Sequence, residues 1–245
     1  MLNKFTIYGE RCSGTNYLEN LIFMNFDIEV TWNYGWKHFF GFQNEKLKNS
    51  DDTLFICIIR NPIEWINSFY KQKYHLPLRY TEMNEEEKID TFLNKEFWSF
   101  NDNNGNRNIE KEIMEDRNIY TGERYKNIFE LRYTKIKFMQ EDLPNKIKNY
   151  IFIKYEDLLY DFKNTLNKIK DKGLKIKDEQ NFPINITMYK KDIKKTFDIN
   201  NKTQIIPSTL IINNPNFDKS FEKALGYYKI YANRKFKDLH YIKLQ

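Results

Sequence analysis

Lys4-Phe-Thr-Ile-Tyr8 runs without a break into Gly9-Glu-Arg-Cys-Ser-Gly14-Thr15-Asn16, and behind it Tyr17, Leu18, Leu21, Ile22 and Phe23 recur at helical spacing. A β-prone run, a glycine-bounded turn and an apolar stripe predict strand, loop and helix in that order. The spacing Gly9-x4-Gly14 is that of the nucleotide P-loop, G-x-x-x-x-G-K-[ST]. Glycines let such a loop wrap so that its N–H groups converge, and the start of the following helix favours an anion. Here Thr15 and Asn16 stand where the P-loop has its Lys and its Ser/Thr. The lysine contact and the hydroxyl that ligates Mg²⁺ are both missing, and no apolar strand ending in Asp offers a second metal ligand. The loop is expected to hold a phosphate with no metal, Ser13, Thr15 and Asn16 adding donors at the helix start.

The next informative stretch is Thr53-Leu-Phe-Ile-Cys-Ile-Ile59, nearly all apolar, as suits a central parallel strand covered on both faces. Arg60-Asn61-Pro62 ends it. Asn61 fits an N-cap, Pro62 the first helical position, and Glu64 the far end of an N-x-x-E capping box. Arg60 at the carboxyl edge of a strand faces the crevice where open α/β sheets bind ligands. A guanidinium there holds phosphate through paired hydrogen bonds, and Ser68, two helical turns on, adds a hydroxyl. Taken alone, Arg60 in a salt bridge and Ser68 on an ordinary helix surface is the better reading; the neighbouring loop is what favours an anion.

Outward from these two elements, Ile28–Trp32 and Trp36–Phe40 read as short extended segments and Tyr150–Lys154 as another strand. Helices are expected from Pro62 onward, carrying Trp65, Ile66, Phe69 and Tyr70 on one side, over Gly122–Gln140, from Tyr155 to about Lys172, and over Phe217–Leu225 with Gly226 as C-cap. Glu85-Glu-Glu-Lys88 reads as a helix start with solvated acids. Residues 76–118 read as an insertion or lid, and 178–216 as an irregular, acceptor-side segment. Strands alternating with helices predict one α/β domain over 1–245: three layers, a mainly parallel central sheet, and a P-loop-like strand–loop–helix.

Composition narrows the function classes. In 245 residues, Lys+Arg 40 against Asp+Glu 34 give +6, a mild excess that suits an anionic ligand without demanding nucleic acid. No apolar stretch is long enough to span a membrane, and the N-terminal run is too polar for a signal peptide. Two cysteines, Cys12 and Cys57, form no disulfide framework, and with three histidines they give no zinc signature. These features point to a soluble, cytoplasmic protein without membrane insertion. The aromatics, 17% of the chain, are expected to fill the core rather than to stack bases. Oligomeric state is not legible.

Three motifs together resemble the sulfotransferases that use 3′-phosphoadenosine-5′-phosphosulfate (PAPS). Arg11-Cys-Ser-Gly-Thr-Asn-Tyr17 is similar to that family's 5′-phosphosulfate loop, Lys-Ser-Gly-Thr-Thr-Trp. Ile58-Ile-Arg-Asn-Pro-Ile-Glu-Trp-Ile-Asn-Ser68 resembles its 3′-phosphate motif, and Lys154-Tyr-Glu-Asp-Leu158 its Tyr-Glu-Asp-Leu/Met after a strand. The likeness covers the first 70 residues and about 150–162. It implies that Ser13, Gly14, Thr15 and Asn16 hold the 5′-phosphate and sulfuryl group, that Tyr17 packs against adenine with Tyr155 nearby, and that Arg60 and Ser68 hold the 3′-phosphate. Cys12 falls where the loop lysine belongs, with Arg11 one position early. The C-terminal Arg-Lys-Gly motif has only the partial echo Arg234-Lys235-Phe236. Many members carry Lys-x-His with the histidine as base, whereas Lys37 and His38 are adjacent, and on a regular strand adjacent side chains point to opposite faces.

The implied reaction moves a sulfuryl group from PAPS, the nucleotide co-substrate, to a hydroxyl or amine of a small-molecule or carbohydrate acceptor. Like phosphoryl transfer, it asks mainly for positioning and charge stabilisation. A base near the acceptor and a cation near the departing phosphate oxygen are needed. His38 is the candidate base and Lys37 or Arg11 the cation, with Glu19 in reserve, since carbohydrate-directed relatives use a glutamate. Arg124 and Arg132 are candidates for the acceptor cleft, and Lys190, Lys191, Lys194 and Lys195 for a basic face. Two alternatives stay open: a small-molecule kinase with a P-loop, and a non-catalytic nucleotide-binding protein on the same scaffold.

Overall fold

A run of seven apolar or β-branched residues, all buried, has to be covered on both sides, and Thr53–Ile59 is the strand on which the structure is built. The computed structural model describes residues 2–103, 106–186, 188–189, 192–196 and 204–227. Lys190, Lys191, Arg234, Lys235, Phe236 and His240 lie outside the described residues, as do the side chains of Lys194 and Lys195. In chain order the elements are β1 (Lys4–Tyr8), α1 (Thr15–Asn25), β2 (Glu29–Val30), β3 (Gly35–Trp36), β4 (Phe39–Phe40), α2 (Asn44–Leu47), β5 (Thr53–Ile59), α3 (Pro62–Gln72), α4 (Glu85–Asn94), β6 (Phe100–Asn103), β7 (Asn106–Glu112), α5 (Ile128–Lys137), β8 (Tyr150–Lys154), α6 (Tyr155–Tyr160), α7 (Phe162–Lys170), β9 (Met188–Tyr189), β10 (Asp192–Thr196), α8 (Ser208–Ile212) and α9 (Lys219–Ala224).

The main sheet has the order β2-β1-β5-β8, all parallel. Side chains of β5 alternate across it. Leu54, Ile56 and Ile58 pack with Leu18, Leu21, Ile22, Leu158, Leu166 and Ile169 beneath α1, α6 and α7. Phe55, Cys57 and Ile59 pack on the opposite face with Tyr8, Phe40, Ile136, Phe138 and Met139. The α/β, three-layer, parallel-sheet expectation holds. Residues 76–118 contribute Phe92, Leu93, Phe97 and Phe100 to the buried interior.

Three helices differ from the sequence reading, each for a local reason. The helix expected over 122–140 begins only at Ile128, because Gly122 takes φ +74° and Tyr125 pairs with Phe97 in an antiparallel bridge. Asn127 Oδ1 then caps Phe129 N and Glu130 N, both at 3.0 Å. The helix expected from Tyr155 to Lys172 breaks at Asp161, whose backbone leaves the helical region and whose carboxylate accepts from the Asn164 amide at 2.7 Å. The last helix starts at Lys219, capped by Asp218 Oδ1 on Phe221 N, with Gly226 at φ +82° after it.

Ahead of α3, Asn61 Oδ1 accepts from Ile63 N at 3.0 Å and Glu64 N at 3.3 Å, with Pro62 at the first helical position. The returning half of the box is not Glu64. Asn61 N donates instead to Glu156 Oε1 at 2.7 Å, so a residue 95 positions away closes the cap. Asn61→Ala is expected to cost about 1 kcal/mol, a fall in Tm of roughly 2–4 °C for a chain of this size. Scanning calorimetry checks it, and an unchanged Tm would mean that the side-chain cap adds nothing.

Candidate functional site

The chain leaves β1 toward β2 on one side and returns through β5 on the other, so the carboxyl ends of β1 and β5 form the switch point of the sheet. The Gly9–Asn16 loop leaves one end and Arg60 stands at the other. A cleft lies between them, lined by Arg11, Cys12, Gly14, Thr15, Asn16, Tyr17, His38, Arg60, Ser68 and Tyr155, with Gln72 and Tyr74.

The loop is held by its carbonyls. Gly9 O faces His38 Nδ1 at 2.7 Å, Glu10 O accepts from Ser13 N at 3.1 Å and from the Ser13 hydroxyl, Arg11 O accepts from Trp65 Nε1 at 2.8 Å, and Cys12 O accepts from Arg60 Nη1 at 3.2 Å. Four consecutive carbonyls are thus occupied. At the head of α1, Gly14 is the N-cap with no side-chain cap, and the first turn carries no acidic residue. That leaves its converging N–H groups suited to an anion. Ser13 serves the loop through its hydroxyl, whereas Thr15 and Asn16 line the cleft.

Two glycines are required by close approach. A Cβ on Gly9 would lie 2.7 Å from Ile58 O on the adjacent strand. Gly14 has φ +96°, and a Cβ there would lie 2.2 Å from Tyr155 Cδ2. Tyr155 is thus pressed onto the loop. Its ring also carries the Arg60 guanidinium, 4.9 Å from the ring centroid, and meets Tyr17 edge-on at 6.1 Å. Arg60 therefore faces the loop. Its Nε is buried and has no hydrogen-bond partner among the described residues. Ser68 stands beside the Cys12 thiol, and burial pushes that thiol up to about 11, so it stays protonated.

Lys37 and His38 are not on a strand. They form the two-residue turn of the β3–β4 hairpin, whose register pairs Gly35 with Phe40 and Trp36 with Phe39. The alternation that would have sent them to opposite faces does not apply, and both reach the loop. Lys37 O accepts from Gly9 N at 3.0 Å, and its ammonium donates to Asn16 Oδ1 and to Glu19 Oε2 at 3.0 Å. His38 turns Nδ1 onto Gly9 O. A carbonyl only accepts, so Nδ1 carries the hydrogen and Nε2 the lone pair. Burial holds the imidazole neutral by pulling it down to about 3.

Below the loop lies a buried network that the sequence does not announce. Arg11, 1% exposed, bonds Glu10 Oε1 through Nε at 2.8 Å, Asp116 Oδ2 through Nη2 at 2.7 Å and Ser99 Oγ through Nη1 at 2.6 Å. Lys135 Nζ bonds Glu10 Oε2 and His38 O, each at 2.7 Å, and Asp116 Oδ1. Two cations and two carboxylates compensate one another away from water, as buried charges must. Burial by itself would raise the Glu10 carboxyl; the Lys135 and Arg11 charges outweigh it and hold it lowered. The Arg11 guanidinium is thus directed into the interior, over the Phe69 ring at 4.7 Å.

Of the other candidates, Glu19 holds Lys37, Arg124 pairs with Glu96 and Glu112, and Arg132 is buried in a two-point pair with Glu222. Glu156, which stands within the third motif but had no role assigned from sequence, joins the site by holding Asn61 N and accepting from Tyr227 OH at 3.0 Å. Among the described residues, no group of three or more His, Cys, Asp or Glu is placed to hold a metal ion, and no helix is long and apolar enough to cross a membrane.

No protein-family model and no curated protein sequence matches the chain. Among solved structures, the chain is similar to mouse sulfotransferase SULT7A1 complexed with PAP, at 15% identity and a TM-score of 0.39. The match covers 73% of this chain and 61% of that one, so the chain spans about three-fifths of the structure it matches.

Proposed function

We propose that this protein is a sulfotransferase that moves the sulfuryl group of PAPS to a hydroxyl or amine of a small-molecule or carbohydrate acceptor, without a metal. One observation carries the reading: the Arg60 guanidinium lies against the loop, 3.2 Å from Cys12 O, so that a basic strand end and an uncapped helix start open into one cleft. A nucleotide with anionic groups at both ends of its ribose fits such a pair. The buried Nε of Arg60, without a protein partner, is a donor that a phosphate oxygen would satisfy.

In this reading the N–H groups of Gly14, Thr15 and Asn16, with Thr15 Oγ1, hold the 5′-phosphate and sulfuryl oxygens. Ser13 shapes the loop through its bond to Glu10 O. Arg60 and Ser68 hold the 3′-phosphate, with Cys12 packed beside Ser68, and Tyr17 and Tyr155 flank the adenine. Arg11 braces the loop from beneath. Lys37, whose ammonium reaches Asn16 at the start of α1 from the hairpin turn, is the cation for the departing phosphate oxygen. The acceptor oxygen attacks sulfur, the bond from sulfur to the 5′-phosphate oxygen breaks with its electron pair, and the acceptor proton passes to His38 Nε2.

Calorimetry with adenosine 3′,5′-bisphosphate against ADP tests the nucleotide assignment. Charge-assisted contacts to the 3′-phosphate predict a preference of roughly 10–100-fold for the bisphosphate. Equal affinities, or Mg²⁺-dependent ATP turnover, would overturn it in favour of a kinase. Tight bisphosphate binding with no sulfated product from any acceptor in a broad panel would leave a non-catalytic binder.

A further inference from the structure

The turn of the β3–β4 hairpin is tied to the first residue of the glycine loop twice. Gly9 N donates to Lys37 O at 3.0 Å, and Gly9 O faces His38 Nδ1 at 2.7 Å. Two bonds that meet on one residue act as a hinge: they fix a distance and leave the turn free to swing about the line through them. The Lys37 ammonium also reaches Asn16, but from the end of a flexible four-carbon stem, which tethers the side chain without fixing the turn. A further contact, away from Gly9, is needed to hold the His38 ring in one direction.

Lys135 supplies that contact from α5. Its buried Nζ donates to Glu10 Oε2 and to His38 O, each at 2.7 Å, and to Asp116 Oδ1. An ammonium has three N–H donors and no acceptor, so its capacity is used in full. Charge balance accounts for the two carboxylates. It does not account for His38 O, a neutral carbonyl that belongs to the residue facing the cleft. The mount of Lys135 is itself rigid. Its Nζ lies 5.9 Å and 5.6 Å from the ring centroids of Phe39 and Phe40, the next two residues of the hairpin. Arg132, one turn earlier on α5, is pinned to Glu222 at 2.6 Å and 2.9 Å.

We propose that Lys135 is a positioning residue for sulfuryl transfer: a strut from α5 that holds His38 O against the Glu10 side of the glycine loop and so aims His38 Nε2 into the cleft. The proposal rests on the sulfotransferase reading above, in which Nε2 takes the acceptor proton, and adds the residue that directs it. A base works only within hydrogen-bond reach of the proton it takes, and a misplacement of about 1 Å costs on the order of 10²-fold in rate. His38 lines the nucleotide cleft and Lys135 does not. Loss of the strut is therefore felt in kcat and not in affinity for the nucleotide.

The test separates the strut from the charge balance. Lys135→Met leaves Glu10 and Asp116 facing Arg11 alone, a net negative charge in a dry interior, and is expected to lower Tm. Lys135→Met/Asp116→Asn sets one cation against one carboxylate again, Arg11 against Glu10, and is expected to regain most of that Tm. Turnover should not return with it: kcat stays about 10–100-fold below wild type, while KM for PAPS and Kd for adenosine 3′,5′-bisphosphate stay at the wild-type value. Nitrogen NMR of the His38 imidazole in the full chain should show the Nδ1–H tautomer alone in the wild type and a mixture of tautomers in the double variant. Wild-type kcat in the double variant would reduce Lys135 to charge balance and overturn the proposal. So would a Kd that rises as far as kcat falls, which would make Lys135 a support of the whole loop. Wild-type protein with no preference for the bisphosphate over ADP would overturn the sulfotransferase reading instead; the tautomer comparison then still decides the strut, and a single unchanged tautomer in the double variant would refute it.

Discussion

On the proposed mechanism, His38→Asn is expected to lower turnover by about 10²–10⁴-fold while nucleotide affinity stays near the wild-type value. Asparagine is the informative replacement because its side-chain amide keeps a donor where Nδ1 meets Gly9 O at 2.7 Å and so preserves the link between hairpin and loop. It has nothing in place of the Nε2 lone pair. The pH profile gives a second measurement. Burial lowers the imidazole from its ordinary range to about 3, so the neutral, proton-accepting form is present from there upward and is lost only as pH falls through that value. In kcat/KM, which reports the free enzyme, no acid-side break is therefore expected near 6.5. Stopped assays from pH 5 to 8 check this. Unchanged turnover in His38→Asn would remove His38 from the mechanism, and a wild-type break at 6.5 would point to a solvated base elsewhere.

On the same proposal, Gly14→Ala is expected to remove most of the affinity for the nucleotide. The backbone at φ +96° costs an L-residue about 1–2 kcal/mol by itself. The larger effect is steric, since the new Cβ meets the Tyr155 ring at 2.2 Å and one of them must move. Moving the loop withdraws the N–H groups at the start of α1; moving the ring shifts the surface on which Arg60 rests at 4.9 Å. Either way two or more charge-assisted contacts weaken, about 3 kcal/mol or roughly 100-fold in Kd for adenosine 3′,5′-bisphosphate. Calorimetry measures it, with circular dichroism to establish that the variant is folded. The paired variant Gly14→Ala/Tyr155→Ala should bind more tightly than Gly14→Ala alone if the collision is the cause. Wild-type affinity in Gly14→Ala would mean that the loop does not contact the nucleotide.

Much of the scaffold was legible because it is local. The seven apolar residues of Thr53–Ile59, the glycines at 9 and 14, and Asn61-Pro62 each state their geometry within a few positions, and strand, loop and cap lie where those residues put them. The cleft could also be anticipated, since Arg60 and the loop had only to be on adjacent strands. What escaped was non-local. Glu156 replaces Glu64 in the cap of α3 through a contact spanning 95 residues, and no spacing rule reaches that far. Glu10 and Asp116 carry no spacing signal, and only the fold brings Lys135 and Arg11 between them. The Lys37–His38 problem came from treating Trp36–Phe40 as one extended strand. Its centre is a two-residue turn, and period-2 reasoning fails where the chain reverses.

The bond from Asp116 to Arg11 has a bearing on engineering. Ser99 and Asp116 belong to the stretch between positions 76 and 118, yet their side chains complete the charge balance directly under the glycine loop. That stretch is consequently not a detachable accessory. A chimera that exchanges it for a foreign sequence to obtain a new substrate range must bring an aspartate and a hydroxyl to the same two places. Otherwise Arg11 and Lys135 are left to share the single Glu10 carboxylate in a dry interior, and the graft is expected to disturb the glycine loop before selectivity can be assayed.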